Sequence, residues 1–309
     1  IYFGFFFTHM VDAPINDDYQ ATLDFLNQWI PASAADRASL LFAQHNEHRI
    51  VYCRLTALLN YGITGRVNFI WLALVGNLAL VGIFVLMLRH MQKIGVSIWF
   101  AILVSVLIFN VGFYENTTFA MAALSNFTAY LFSMLALYSI AKSTIGNKEI
   151  ALCMLFTAFA IFTQASGIFL IPLTIAILWF RNEKRLLIWH AAFCTIIATV
   201  YFIGYQTPPL HASDEGTNPV FSFFSVLGGA WNYHLIFVNP KTSIHVATAI
   251  GVVLFLAYLY AIKTGFHKRN LFITSVMTLM AIVAAATAIG RSQFGIEVSA
   301  ASRYRICSA

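Results

Sequence analysis

Two neighbouring aspartates are the first residues in this chain whose types suggest chemistry. Asp17 and Asp18 lie in a polar segment that directly follows the apolar start of the sequence. Adjacent carboxylates repel each other, so the pKa of one of them can be raised, and that group can then act as a general base toward a hydroxyl. An aspartate here is also a good N-cap for a following helix. The two roles are compatible.

A second cluster, residues 44–49, concentrates ionisable side chains in a chain that has few of them. On a helix, His45, His48 and Arg49 recur at i, i+3 and i+4 and therefore share one face. Such a face could bind a phosphate or a metal ion. Glu47 would point around the helix from His45, which makes a closed zinc site the weaker interpretation. A solvated outer face is the plain alternative.

The third cluster lies at the end of the sequence and is rich in arginine. Arg303 and Arg305 flank Tyr304, and Arg291 precedes them. In an extended tail, Arg303 and Arg305 project to the same face, and the guanidinium fork matches phosphate oxygens better than a lysine ammonium does. This pattern favours phosphate recognition, and anchoring to anionic lipid head groups is the alternative.

Other polar residues give weaker signals. Glu115 opens a turn between two apolar segments, where an acid near the bilayer is a functional hypothesis by default. His234 lies in a later loop, where it could contact a polar substrate. The four cysteines show no metal-ligand spacing, and we interpret them as small apolar residues: Cys53, Cys153, Cys194 and Cys307.

The elements that position these residues must be membrane helices. Of the 309 residues, 60% are hydrophobic and 10% are charged, with a mean hydropathy of +0.78, whereas an average soluble domain is about 45–50% apolar and about 25% charged. This composition excludes a cytosolic enzyme, a disulfide-stapled secreted module and a disordered chain. Because about 20 apolar residues cross a bilayer, the short apolar start suggests a first span without its beginning, in a chain truncated at both ends.

Apolar runs bounded by charges predict a polytopic, all-α bundle of transmembrane helices with short amphipathic helices in the outer loops. The predicted organisation is a first outer loop over 9–66, six spans within 67–206, a second outer loop over 207–244, two spans within 245–289 and an outer segment over 290–309. The eight predicted spans cover about 67–88, 96–114, 118–140, 150–165, 167–181, 186–206, 245–263 and 270–289. The fourth and fifth spans are short and meet at a tight tip over residues 164–167.

The positive residues set the orientation. By the positive-inside rule, the alternate loops that carry them are cytoplasmic. All three clusters then lie on the outer side, and the net charge of +6 is explained by topology rather than by a nucleic-acid partner. The loops concerned contain Arg89 and Lys93; Lys142 and Lys148; Arg181, Lys184 and Arg185; and Lys263, Lys268 and Arg269.

Three further helices are expected on the outer side. Residues 19–30 and about 40–60 predict surface helices, the second ending at Gly62. Residues 220–238 are apolar enough to span, but Gly228-Gly229 favours an interfacial or re-entrant helix broken at that point. The apolar stripe of the first surface helix would consist of Tyr19, Leu23, Leu26 and Ile30.

The order of these motifs resembles the GT-C superfamily of bacterial multi-pass glycosyltransferases. The resemblance covers most of the chain in layout. It rests on the acidic pair within NDDYQATLDFLNQW, on FAQHNEHRIVYCRL, and on the outer segment that runs from GRSQFG to SRYR.

The resemblance implies an enzyme of the bacterial inner membrane that takes a sugar from a polyprenyl-phosphate carrier on the periplasmic face. The sugar passes, with inversion, to a glycan, lipid or protein acceptor, as in the synthesis of cell-envelope polysaccharides. Asp17 or Asp18 would be the base or would orient the acceptor. A divalent metal ion is a possible cofactor. Donor binding would fall on His45, Glu47, His48, Arg49, Arg291, Arg303, Tyr304 and Arg305.

Two alternatives stay open. A transporter or flippase of lipid-linked sugar would need ionisable residues within its spans and broken helices near the midplane, and the predicted spans hold almost none. A glycan polymerase or ligase would also be multi-pass and arginine-rich on the outside. It would use a pyrophosphate-linked donor, which these motifs do not distinguish from a monophosphate.

Overall fold

The computed structural model describes residues 1–207, 216–232 and 239–295, together with residues 301 and 306. Within these residues the fold is helical, and six helices or helix runs are long and apolar enough to cross a membrane. The predicted all-α, polytopic class is therefore confirmed, and the chain is a multi-pass membrane protein. The six are Phe69–Lys93, Phe100–Thr118, Ala120–Ile140, Lys184–Phe202, Lys241–Lys263 and Leu271–Phe294.

The chain divides into two compact units. The first comprises Ile1–Ala101 with Glu115–Pro208, and the second comprises Ile102–Tyr114 with Pro209–Ala309. In chain order the described helices are α1 (Tyr2–His9), α2 (Tyr19–Asp24, continued by Phe25–Trp29), α3 (Ala34–Phe42), α4 (Val51–Thr64), α5 (Phe69–Lys93), α6 (Phe100–Ile108), α7 (Tyr114–Thr118), α8 (Ala120–Ile140), α9 (Asn147–Ile161), α10 (Leu170–Phe180), α11 (Lys184–Phe202), α12 (Pro219–Leu227), α13 (Pro240–Lys263), α14 (Phe266–Arg269) and α15 (Leu271–Arg291).

The fourth and fifth predicted spans form a helical hairpin, α9 and α10, with a 3₁₀ turn over Ala165–Phe169. α9 has 15 residues and α10 has 11, so both are shorter than the other spans. At the tip, a Cβ on Gly167 would lie 2.4 Å from the carbonyl carbon of Ala160. Only glycine therefore fits this position, and the predicted tight tip over residues 164–167 is confirmed.

Small residues bring the central helices of the first unit into contact. A Cβ added to Gly76 of α5 would lie 2.4 Å from the carbonyl carbon of Ala123 in α8. Such close backbone approach is typical of packing between membrane helices, where dispersion contacts replace the hydrophobic effect. The fully buried Phe6, Leu72 and Ala73 belong to the apolar core beside this crossing.

Polar contacts connect two loops at one end of the first unit. At one end, the guanidinium of Arg181 donates to the carbonyls of Ile140, Lys142 and Ser143. Lys142 also forms an ion pair with Glu149 at 3.2 Å. These contacts hold two of the positively charged loops together at one end, as the predicted topology requires.

In the second unit, α12 ends at Leu227, directly before the predicted break at Gly228. A helix of nine residues is too short to span a bilayer, for which about 20 are needed. The predicted break at Gly228 is therefore present, and the end of the predicted segment, residues 233–238, lies outside the described residues. α12 crosses α13 at two glycines, because a Cβ on Gly228 would lie 1.9 Å from the carbonyl oxygen of Ala247, and one on Gly251 would lie 1.9 Å from that of Phe224.

Replacing Gly251 with alanine should lower the stability of the protein, since the added methyl group would overlap a backbone atom that cannot move without shifting α12. Overpacking of this kind costs about 1–3 kcal/mol. Thermal unfolding in nanodiscs would measure the effect. Gly290→Ala is the matched control, because its Cβ meets nothing within 4 Å. Equal unfolding temperatures for the two variants would contradict the prediction.

Candidate functional site

The structure does not form the single helix predicted over about 40–60. α3 and α4 are separate helices, and the chain between them is a turn. α4 continues past the expected end at Gly62 and stops at Thr64, where Gly65 adopts the left-handed φ of 71° that commonly terminates a helix.

The turn between α3 and α4 places the histidines differently from the prediction. The backbone N–H of His45 donates to the carbonyl of His48 at 2.8 Å, and the N–H of His48 donates back at 2.9 Å. Asn46 adopts a left-handed φ of 49° within the turn. His45, His48 and Arg49 therefore do not share a helical face, since the intervening residues fold back on themselves.

Arg49 is 6% exposed and is engaged with the main chain. Its Nε donates to the carbonyl of Tyr201 at 2.5 Å, and its two terminal nitrogens donate to the carbonyls of Phe42 and Ile203. These carbonyls lie at the C-terminal ends of α3 and α11, which carry partial negative charge. In this arrangement Arg49 fastens the turn to α11 and does not present its guanidinium to a phosphate, contrary to the expectation.

Arg54 is a second buried arginine, and it was not among the predicted site residues. Its Nη1 donates to the carbonyls of Leu41 at 3.0 Å and of Ala43, and its guanidinium lies 5.2 Å from the ring centre of Phe25. Burial lowers its pKa to about 10. Arg54 thus joins α4 to α2 and to the end of α3. In the sequence, the available signal for Arg54 was its position in the Arg-Leu pair that ends the motif FAQHNEHRIVYCRL.

Asp18 is fully buried and caps a helix, although not the one that follows it. Its carboxylate accepts from the backbone N–H of Ile15 at 3.0 Å and of Met121, in the first turn of α8, at 2.9 Å. It makes no capping bond to α2. Burial raises the pKa of Asp18 to about 6, although these bonds to the charged form act against the rise. Asp18 therefore fixes the segment before α2 to the start of α8.

Asp17 is half-buried and lies close enough to His45 for its charge to act on the imidazole. Burial lowers the pKa of His45 below its ordinary value, and the negative charge of Asp17 offsets part of that change. His45 is therefore a neutral imidazole at pH 7. The fold brings together the first two sequence clusters, which are 28 positions apart in the sequence.

His48 and Glu47 connect this region to the hairpin tip. The backbone N–H of Ala165 donates to His48 Nδ1 at 3.2 Å, which leaves Nε2 as the protonated nitrogen of the neutral imidazole. This Nε2 lies 3.7 Å from a carboxylate oxygen of Glu47. Tyr201 donates its hydroxyl to the carbonyl of Glu47 at 3.0 Å. Both side chains remain partly accessible.

The first surface helix is present as α2, but a different face is buried. Tyr19 and Ile30 are exposed, whereas Leu26 is buried. The buried stripe is therefore rotated around the helix from the predicted one, because the hydrogen bond between Asp18 and Met121 places the Asp18 side of the segment against α8. The buried side consists of Asp18, Ala21, Thr22, Phe25 and Leu26.

The remaining predicted residues do not belong to this group. Glu115 is half-buried and lies in the first turn of α7. Arg291 is in the second unit, at the end of α15, with its guanidinium 6.0 Å from the ring centre of Phe294. The others lie outside the described residues: His234, Arg303, Tyr304 and Arg305.

No group of three or more His, Cys, Asp and Glu side chains within the described part of the chain has the geometry of a metal site. Comparisons of the chain with family models, with curated proteins and with solved structures find no match.

The fold and the site define a multi-pass helical membrane protein, with acidic and histidine side chains gathered at one end of its first unit.

Lowering the pH from 7 to 5 should stabilise the fold through Asp18. Its folded pKa of about 6 exceeds the ordinary value of 3.8, so the folded state binds the proton more tightly, and stability falls as pH rises through this range. Between pH 7 and 5 the contribution is about 1.4 kcal/mol, since pH 5 lies about one unit below the folded pKa and tenfold in proton affinity corresponds to about 1.4 kcal/mol. Unfolding temperatures of wild type and Asp18→Asn across pH 5–7 would test this, and parallel profiles would contradict it.

Proposed function

We propose that the protein is a glycosyltransferase that moves a sugar from a polyprenyl-phosphate donor to a glycan, lipid or protein acceptor. The observation that carries the proposal is that Asp17 lies close enough to His45 for its charge to act on the imidazole, beside the partly accessible Glu47 and His48. This group lies where α5, α8 and the 3₁₀ turn before α10 begin, through the contacts of Asp12, Asp18 and His48 to Phe69, Met121 and Ala165.

The location supports an outer-face reaction. Arg181 and Lys142 lie together at the end of the first unit's helices that is opposite to this group. By the positive-inside rule that opposite end faces the cytoplasm. In the proposal, the protein resides in a bacterial inner membrane and its site faces the periplasm, where a lipid carrier would place its phosphate at the interface and its chain between helices.

The proposed reaction makes two demands on the protein. The acceptor hydroxyl must lose its proton as its oxygen bonds to the anomeric carbon, and the departing phosphate must be stabilised as the bond to that carbon breaks. Asp17 takes the proton, because it is the more accessible of the two aspartates. Asp18 positions it by fixing the loop to α8. Attack opposite the departing phosphate inverts the anomeric configuration.

Phosphate stabilisation is divided among several groups in the proposal. His48 contributes a proton on Nε2, since its Nδ1 accepts from the backbone. By residue type alone, the other candidates are Arg291, Arg303, Tyr304 and Arg305, because guanidinium groups suit phosphate oxygens. A divalent cation is an optional addition, tested by adding a chelator.

The test uses the protein in proteoliposomes with a panel of radiolabelled polyprenyl-phosphate monosaccharides and lipid-linked or polysaccharide acceptors. Transfer from one donor, with inverted product stereochemistry, is the expected result and identifies the sugar. Movement of the labelled lipid across the bilayer without transfer would overturn the proposal in favour of a transporter. Activity only with pyrophosphate-linked oligosaccharides would overturn it in favour of a polymerase or ligase.

A further inference from the structure

A hydrogen-bonded series of uncharged side chains runs from the interior of the first unit to the hairpin tip. Ser166 Oγ donates to Gln164 Oε1 at 2.9 Å, Gln164 Nε2 donates to Asn126 Oδ1, and Asn126 Nδ2 donates to Asn116 Oδ1 at 2.7 Å. We call these four residues the amide series. Asn116 and Asn126 are buried, whereas Gln164 and Ser166 are half-buried at the tip.

Burying the amide series inside a membrane protein has a free-energy cost. Asn126 belongs to the spanning helix α8, and burying an amide in apolar surroundings is unfavourable unless its hydrogen bonds are satisfied. Apolar side chains could fill the same space without this demand. In addition, α8 forms a π-helical turn over Ala123–Phe127, the segment that contains Asn126. Such turns within α-helices are frequent at functional sites.

The tip end of the series offers hydrogen bonds of both kinds. Gln164 uses one amide N–H for Asn126, and its second N–H has no partner among the described residues. The Ser166 oxygen donates its proton to Gln164 and keeps lone pairs that can accept. His48 lies beside them, since it accepts from the N–H of Ala165, between Gln164 and Ser166.

These features select the class of ligand. Donors and acceptors lie together with no formal charge, which suits neighbouring hydroxyl groups rather than a phosphate or a carboxylate, for which charged donors are the stronger partners. Phe162 and Tyr52 are half-buried on either side of a backbone hydrogen bond next to Gln164. Their rings add an apolar surface of the kind that lines small-molecule sites.

We propose that Gln164 and Ser166, supported by Asn126 and Asn116, bind the ring hydroxyl groups of an uncharged monosaccharide and determine which sugar is accepted. The inference rests on the proposed function in that the sugar is taken to be part of the donor. The amide series then positions the ring, while Asp17 and Glu47 supply the carboxylates of the site and the neutral histidines lie beside them.

Binding can be measured without any transfer reaction. Saturation-transfer NMR on the protein in nanodiscs, with methyl glucoside, galactoside and mannoside as probes, should show one preferred glycoside. Gln164→Met and Ser166→Ala should each weaken its binding about tenfold, the equivalent of one hydrogen bond. Gln92→Met is the matched control, because Gln92 is an exposed amide at the other end of α5, and it should bind like wild type.

Ser166→Ala guards against a purely structural effect, since it leaves the bonds among Gln164, Asn126 and Asn116 intact. Unchanged glycoside binding in both variants, or no binding of any glycoside to wild type, would overturn the inference. Binding that both variants lose, in a protein that transfers no sugar, would support the site and overturn the glycosyltransferase. Transfer with an unaltered sugar preference in Gln164→Met would overturn the site alone.

Discussion

Asp17→Asn should reduce sugar transfer by about 10²- to 10⁴-fold, the usual contribution of a general base. The change removes the negative charge and the proton-accepting oxygen but keeps the shape of the side chain. Its charge acts on His45, whereas the capping bonds of this segment come from Asp18. The fold should therefore survive the substitution. Initial rates with the donor identified by the panel would measure the effect.

Asp24→Asn is the matched control for Asp17→Asn, because Asp24 is an exposed aspartate of the same polar segment between α1 and α5. It should leave transfer unchanged. Wild-type rates in Asp17→Asn would contradict the assignment of the base. If transfer instead vanished in Asp18→Asn with wild-type thermal stability, the buried aspartate would be the base and this segment would have to open during the reaction.

Arg49→Met should be the most destabilising of the substitutions considered, by about 3–5 kcal/mol. Methionine fills much of the same volume but leaves three carbonyls, of Phe42, Tyr201 and Ile203, without their donor. Hydrogen bonds that involve a charged group contribute about 1.5–3 kcal/mol each to stability. Methionine avoids the unfavourable burial of a charge, which offsets part of the loss of these three bonds. Thermal unfolding in nanodiscs would measure the change.

Arg66→Met provides the control for Arg49→Met, since Arg66 is an exposed arginine of the same polar segment between α1 and α5. Arg49→Lys should be intermediate, because lysine keeps the charge but cannot reach three carbonyls with a planar fork. An unfolding temperature for Arg49→Met equal to that of the Arg66 variant would show that the guanidinium does not hold the turn to α11.

The membrane architecture was predictable because it depends on long runs of composition. All eight predicted spans correspond to helices or helix runs among the described residues, six of them long and apolar enough to cross a membrane, and the break at Gly228 is present. Glycines marked the hairpin tip and this break, since close backbone approach or a turn requires them there. The length of each apolar run then determined where the helices lie.

The polar segment between α1 and α5 was predicted less well, because its structure depends on contacts with distant residues. Periodicity suggested one helix through His45 and Arg49, but Arg49 instead binds carbonyls of α11, more than 150 positions away. Asp18 is a good capping residue by type, and only the fold reveals that it caps α8. Local propensity is outweighed here by buried hydrogen bonds.

The candidate site was predictable in its residue types and only partly in its arrangement. Asp17 and His45 were identified as separate clusters, and the fold joins them. The amide series was missed because amides lack a spacing motif. The available signal was the presence of Asn116, Asn126 and Gln164 within or beside otherwise apolar stretches.

The two π-helical turns have a consequence for insertions and deletions. One follows Asp18, over Tyr19–Asp24, and the other contains Asn126. A π turn accommodates one residue more than an α turn, so removing a residue there restores a regular α-helix, changes the directions of the side chains within the turn and leaves the helix beyond it in place. Loss of a single codon would thus preserve the number of membrane crossings while turning Asn126 away from Gln164. In such a scaffold, evolution can gain or erase a binding site without rebuilding the membrane fold.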